Sequence, residues 1–183
     1  MFYSDSLEMI AYIRRITQLR RSWFLLFGSA FFLEACAMVF QHVLGFQPCV
    51  MCIYQRTAVF GIMLAGLLGS IYPRSLILRW CALIIWGVAS VKGLQLALKH
   101  TDLQLNPSPF NTCDLFVDFP GVLSSLPKAI PWFFQATGEC SDTSWQFLSW
   151  TMPQWLIPIF AVYMVVCFII ISGNFIKGKC CGS

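Results

Sequence analysis

Four stretches of the chain are nearly free of polar residues, and the segments between them differ sharply in length. The first runs from Trp23 to Phe40, broken only by Ser29 and Glu34. Carried on through His42 to Val43 it reaches about 20 residues, enough for one helical crossing of a bilayer. The second, Ile53 to Tyr72, carries Gly61, Gly66 and Gly69, which allow close helix contact. Pro73-Arg74-Ser75 marks a tight turn before the third, Leu76 to Leu98, where Arg79 lies near the start and Lys92 is placed to snorkel to the far interface. The fourth, Trp155 to Ile171, has Trp150 and Trp155 as interface anchors and Pro158 close to its beginning. The pattern predicts an all-α integral membrane protein, a bundle of four transmembrane helices in a single domain over 1–183. The spans are expected at 22–43, 53–72, 76–98 and 154–172, with outer loops at 44–52 and 99–153.

Two segments carry a second reading. Arg14, Arg15, Arg20 and Arg21 ahead of an apolar stretch, with the small residues Ala35-Cys36-Ala37 within it, also fit a cleaved signal peptide. The glutamate in Leu33-Glu34-Ala35-Cys36 suits a lipoprotein cleavage site poorly, so the stretch is expected to stay as a helix. The long segment 99–153 contains Pro107, Pro109, Pro120, Pro127 and Pro131, which exclude one continuous helix. Within it, Pro120 to Phe134 alternates prolines with apolar residues. It suits a short interfacial helix lying on the membrane, or a small core for the loop itself.

Composition agrees with the apolar pattern: 58% of the residues are hydrophobic and 11% charged, too few charges to cover a soluble protein of 183 residues. The net charge of +4 does not point to nucleic acid, because the basic residues form no patch interleaved with aromatics. They sort by side instead. With the N-terminus inside, the inner segments hold Arg14, Arg15, Arg20, Arg21, Arg74, Arg79, Lys177 and Lys179, against Arg56, Lys99 and Lys128 outside. The positive-inside rule then puts both termini in the cytoplasm.

That orientation also sorts the nine cysteines. Cys49 and Cys52 fall in the short outer loop and Cys113 and Cys140 in the long one, on the oxidising side where disulfides persist. Cys36, Cys81 and Cys167 fall inside spans and read as small buried hydrophobic residues, and Cys180-Cys181 as a reduced cytoplasmic tail. A bridge between Cys113 and Cys140 would work as a staple, worth roughly 3 kcal/mol in the loop-entropy account. Linking Cys49 to Cys52, already three positions apart, removes little disorder, so that pair reads as reactive. If Cys52 opens a helix, its sulfur sits in the positive field of the terminus, where a thiolate is favoured.

A reactive disulfide needs a donor and an acceptor of electrons. An external dithiol can reduce one pair, which can pass electrons to the other, but thiol exchange alone only relocates them. The chain has no Gly-rich nucleotide loop, no Cys-x-x-Cys-His haem site and no His/Glu di-metal pattern. An acceptor that dissolves in the bilayer, a lipid quinone, meets the need. Arg56 follows Cys52 by one helical turn and is placed to favour both a thiolate and negative charge on a quinone oxygen; the alternative is an arginine anchoring the helix among headgroups. Gln41, His42, His100 and Gln104 lie at the same depth, as donors to a quinone oxygen or as partners for helix ends. Glu34 is deeper, where a carboxyl is either neutral or paired.

The sequence resembles the disulfide bond formation protein B family, bacterial inner-membrane thiol:quinone oxidoreductases. The resemblance rests on Phe40-Gln41-His42-Val43, on Pro48-Cys49-Val50-x-Cys52-Ile53-Tyr54-x-Arg56 and on Gly93-x-Gln95-Leu96. It continues through Pro107-Ser108-Pro109-Phe110 with Cys113-Asp114, and Met152-Pro153-Gln154-Trp155, covering residues 20 to 176. It implies a periplasmic location for both outer loops, ubiquinone or menaquinone as cofactor, and a soluble periplasmic thioredoxin-fold dithiol oxidase of the disulfide bond formation protein A type as partner. It further implies that Cys113 forms the mixed disulfide with that partner, that Cys140 resolves it and passes electrons toward Cys49, and that Cys52 reacts with the quinone. Arg56, His100 and Gln104 match positions around the quinone, and Gln41 and Glu34 have supporting roles. Gln55 departs from the family pattern, standing where an acidic residue is expected.

Two rivals remain at this point. A quinone reductase of the vitamin K epoxide reductase type also couples a membrane Cys-x-x-Cys to quinone. A nonenzymatic membrane subunit would hold zinc on its four outer cysteines, and would show stoichiometric metal and no quinone spectrum.

Overall fold

The computed structural model describes residues 15–106, 136–141, 143 and 145–175. Four helices long and apolar enough to cross a membrane make up most of it. Helix α1 spans Arg20–His42, α2 Val50–Ile71, α3 Leu76–Leu105 and α4 Met152–Phe175. They pack in chain order, α1 on α2, α2 on α3 and α3 on α4, as an up-and-down bundle does. The all-α, four-span architecture expected from the pattern is the architecture found.

Helix α2 is the most enclosed of the four, and its glycines show why. A Cβ at Gly66 would meet the backbone nitrogen of Phe27 at 2.6 Å, and one at Gly61 would meet the Cβ of Ala89 at 2.9 Å. A Cβ at Gly69 would overlap the indole of Trp23. Small residues let the α2 backbone approach both neighbours, which is how helices gain contact where lipid supplies no hydrophobic drive. On α3, Gly93 does the same toward α4, receiving the ring of Phe160. Around these contacts Trp23, Leu26, Ala30, Ile62, Leu83 and Phe160 form the buried core. The outward faces carry residues such as Leu25, Phe32, Ile77 and Phe168, all exposed, as suits a surface bathed in hydrocarbon.

Cysteines inside the spans follow no common rule. Cys167 is buried, its Sγ 3.6 Å from the carbonyl oxygen of Leu83. Cys36 is half-buried, and Cys81 is exposed on the outside of α3, contrary to the expectation that all three are buried. A helix that is apolar on every face does not announce which face turns inward.

Two features at the end of the bundle that carries Cys49 depart from the pattern's plain reading. Helix α3 runs on to Leu105, so His100 and Gln104 ride on its last turns rather than on a loop. Between residues 145 and 152 the chain forms a small hairpin, β1 (Gln146–Phe147) against β2 (Trp150–Thr151), with Gln146 opposite Thr151 and Phe147 opposite Trp150. Its turn residues, Leu148 and Ser149, have φ of 52° and 66°. Such a pair of positive φ values matches the twist of the flanking strands but is normally supplied by Asn-Gly or Asp-Gly, hence the weak signal. The hairpin leads directly into α4, where the Gln154 side chain accepts a hydrogen bond from the Thr151 N–H at 2.8 Å, the reach-back half of a capping box. Pro153 therefore occupies the first turn of α4 and Pro158 the second. The segment in which an interfacial helix is expected, Pro120 to Phe134, lies outside the described residues.

Candidate functional site

The site is assembled where the N-terminal end of α2 meets the segment preceding the hairpin. Cys49 is the N-cap of α2: its backbone is extended, and its Sγ accepts a hydrogen bond from the Cys52 N–H at 3.2 Å. That turn brings the two sulfurs to 2.6 Å, with Cys49 almost fully buried and Cys52 partly open. Contact with the Cys52 sulfur, and then burial, push the Cys49 thiol well above the usual thiol range. The Cys52 sulfur lies one turn into the helix, where the terminal N–H groups concentrate positive potential.

Cys140 is delivered from above. The N–H groups of Thr137 and Gly138 both donate to the carbonyl oxygen of Pro48 at 3.1 Å, and the Thr137 hydroxyl donates to Gln47 Oε1. Gly138 lies so close to the Gln47 carbonyl that a side chain there has no room. These bonds seat Cys140 in the same buried cluster as Cys49. Cys140 is disulfide-bonded, and the other described cysteines are free. Cys113 lies outside the described residues.

His100, from α3, closes the space between them. Its Nε2 lies 3.2 Å from the Cys140 carbonyl oxygen and 3.6 Å from Cys49 Sγ. One ligating atom from each of Cys49, His100 and Cys140 falls within 4.8 Å of the others. Three such groups resemble part of a zinc site, but a sulfur already in a disulfide has no thiolate to give a metal. The proximity serves sulfur–sulfur exchange instead, in which a thiolate approaches a neighbouring disulfide.

On the other side of Cys52, Arg56 is held by three residues of α1. Its Nε donates to Glu34 Oε1 at 2.8 Å, Nη1 to Gln41 Oε1 at 2.6 Å and Nη2 to Met38 Sδ at 2.7 Å. Positions 34, 38 and 41 recur at helical spacing, so one face of α1 presents all three acceptors. Glu34 is thus the paired carboxylate of the two options open to it, and Gln41 accepts a hydrogen bond from the arginine.

Beside this arginine a cavity of about 250 Å³ opens between α1, α2, α4, His100 of α3 and Trp145, just ahead of the hairpin. Its walls are mostly apolar, with Glu34, Gln41, Cys52, Gln55, Arg56 and His100 supplying the polar atoms. Three of those atoms are buried without a hydrogen-bond partner: Glu34 Oε2, Gln55 Nε2 and His100 Nδ1. Buried polar groups are rarely left unpaired in the absence of something to pair with. An apolar enclosure with unpaired polar atoms beside a reactive sulfur fits a quinone headgroup, a flat ring bearing two carbonyl acceptors.

The remaining candidates divide. Gln104 lines a smaller recess that adjoins the cavity through Cys52 and His100, and accepts a hydrogen bond from the Thr151 hydroxyl at 2.7 Å. His42 is exposed at the end of α1 and is not among the residues lining the cavity. The sequence pattern gave no sign of Met38 or Trp145, and it marked Gln55 only as a departure from the family, though all three lie close to the site. The spacing of Gln55, three residues after Cys52 on the same helix, was the available signal for it.

A helical membrane bundle that brings two cysteine pairs' members together over an apolar cavity is a membrane thiol–disulfide oxidoreductase. Comparison with known proteins narrows the class. The family model for disulfide bond formation protein DsbB matches residues 19–170. Disulfide bond formation protein B of Aeromonas hydrophila subsp. hydrophila is 54% identical over 173 residues, 94% of this chain and 99% of that protein. The protein of the same name from Aeromonas salmonicida is 53% identical over the same shares, and that of Yersinia pestis (strain Pestoides F) 51% over 171 residues, 93% and 96%. The chain belongs to the DsbB family of disulfide bond formation proteins. It is a multi-pass inner-membrane protein-dithiol:quinone oxidoreductase, with ubiquinone or menaquinone as redox cofactor and a periplasmic thioredoxin-fold oxidase of the DsbA type as partner.

Proposed function

We propose that electrons enter at a Cys113–Cys140 disulfide, pass to Cys49 and Cys52, and leave to a quinone in the cavity beside Arg56. The observation that carries this path is the placement of Cys140 and Cys49, with His100, within 4.8 Å. The soluble partner's dithiol is oxidised as it reduces the Cys113–Cys140 bond. Cys140 then attacks Cys49 of the oxidised inner pair, Cys52 leaves as a thiolate, and Cys113 attacks Cys140 to release Cys49. One disulfide has formed and one has broken, so the balance is even. The quinone, when bound, takes up the two electrons and two protons of the Cys49/Cys52 dithiol.

Each residue near the relay has a distinct task. Cys49, whose thiol resists ionisation, keeps the proton, so the negative charge of the inner pair falls on Cys52 at the helix terminus. Arg56, fixed by Glu34, Gln41 and Met38, supplies positive charge on the cavity side. His100 bridges the Cys140 backbone and Cys49, and with Gln104 closes the space over the sulfurs. The basic residues at Arg74 and on both terminal segments support an orientation with both termini cytoplasmic, loops 44–52 and 99–153 periplasmic, and one domain throughout.

The test is to strand the exchange halfway. In a Cys52→Ala, Cys113→Ala double variant under mild oxidation, peptide mass spectrometry is expected to recover Cys49 joined to Cys140. Recovery of each as a free thiol in a folded variant would remove the relay.

A further inference from the structure

The mechanism just described leaves one buried polar group beside Cys52 without a task. Gln55 is 2% exposed on the enclosed helix α2, lines the cavity, and its Nε2 has no hydrogen-bond partner. Cys52, Gln55 and Arg56 stand at i, i+3 and i+4, so they share one helical face. Arg56 is already engaged by α1 through Nε and both terminal nitrogens, which leaves the Gln55 amide as a donor not committed to the protein. An amide N–H buried without an acceptor is disfavoured, so the cavity is suited to a ligand that brings an acceptor.

We infer that the Gln55 side-chain amide donates a hydrogen bond to a carbonyl oxygen of the quinone headgroup. The inference rests on the reading of the cavity as the quinone site, and adds to it a residue that selects the ligand. A carboxylate in this position would offer no proton when ionised, and would set negative charge against the ring oxygen. The neutral amide does the opposite: it holds the oxidised quinone through its carbonyl and adds no charge beside the Arg56 and Glu34 pair.

The experiment uses the purified full-length protein in detergent, stripped of endogenous quinone, with decylubiquinone as probe. Two readouts apply: quenching of tryptophan emission, with Trp145 on the cavity wall, and the infrared carbonyl band of the bound quinone. Wild type is expected to bind the probe with one carbonyl band shifted to lower frequency. Gln55→Leu is expected to return that band toward the free-quinone position and weaken binding by about 3- to 10-fold, the range of one neutral hydrogen bond. Gln55→Met, unbranched and close in shape, reads the same quantities if the leucine variant does not fold. A carbonyl band that stays shifted in the folded variant, with unchanged affinity, overturns the role of Gln55 alone. Failure of wild type to bind the probe overturns the cavity assignment and this inference with it.

Discussion

Arg56 and Glu34 are the residues whose removal separates structure from chemistry most cleanly. Their contact is buried on both sides, so taking away the arginine strands a carboxylate in an apolar site. Arg56→Ala is expected to cost about 3–5 kcal/mol of stability, measured by chemical denaturation in detergent, and to raise the quinone KM. Replacing both as Arg56→Met with Glu34→Leu should recover most of the stability, because the pair's desolvation cost goes with it, yet leave the KM high. A double variant with wild-type KM would take Arg56 out of the quinone site. At this scale the sequence disclosed chemistry better than partners. The Cys-x-x-Cys with an arginine one turn on was legible because its spacing has few other uses. That Glu34, Met38 and Gln41 converge on Arg56 was not, since contact between two helices depends on their relative rotation.

The elements divide along the same line. The four spans were legible because a bilayer demands about 20 apolar residues in a row, and few other constraints produce them. The extension of α3 to Leu105 was hidden, since Lys99-His100-Thr101-Asp102 is polar and reads as loop, although a helix leaving the membrane can be as polar as any other. The hairpin was hidden by its Leu-Ser turn. Gly138 lies in the long segment ahead of the hairpin, and there the backbone approach to Gln47 positions Cys140. Gly138→Ala is expected to slow electron transfer between the two cysteine pairs by about tenfold or more, as displacement of reacting groups by a fraction of an ångström does. The variant should leave the helical bundle's melting unchanged. Rapid-quench alkylation, which counts the thiols of each pair against time, checks the rate.

At the scale of the whole molecule, the bundle keeps Cys49, Cys52 and Cys140 together at one end with a mostly apolar cavity beside them. The proposed orientation rests on the placement of lysine and arginine, a property of the chain as a whole rather than of any site. With both termini in the cytoplasm, an impermeant maleimide added to reduced cells should label Cys140 and leave Cys180-Cys181 for a permeant reagent. The opposite result would invert the scheme. The association of Cys140 with Cys49 belongs to this scale too, because 91 residues separate them in number and only the folded chain brings them together.

The most direct test of the relay is anaerobic stopped-flow mixing of the protein with ubiquinone and a reduced DsbA-type partner, followed by the quinone's absorbance. One quinone is expected to be reduced per partner dithiol oxidised in the wild type. With Cys49→Ala quinone reduction should cease, while the mixed disulfide between Cys113 and the partner still forms. Undiminished quinone reduction by Cys49→Ala would show that electrons reach the quinone without the inner pair, and would contradict the account.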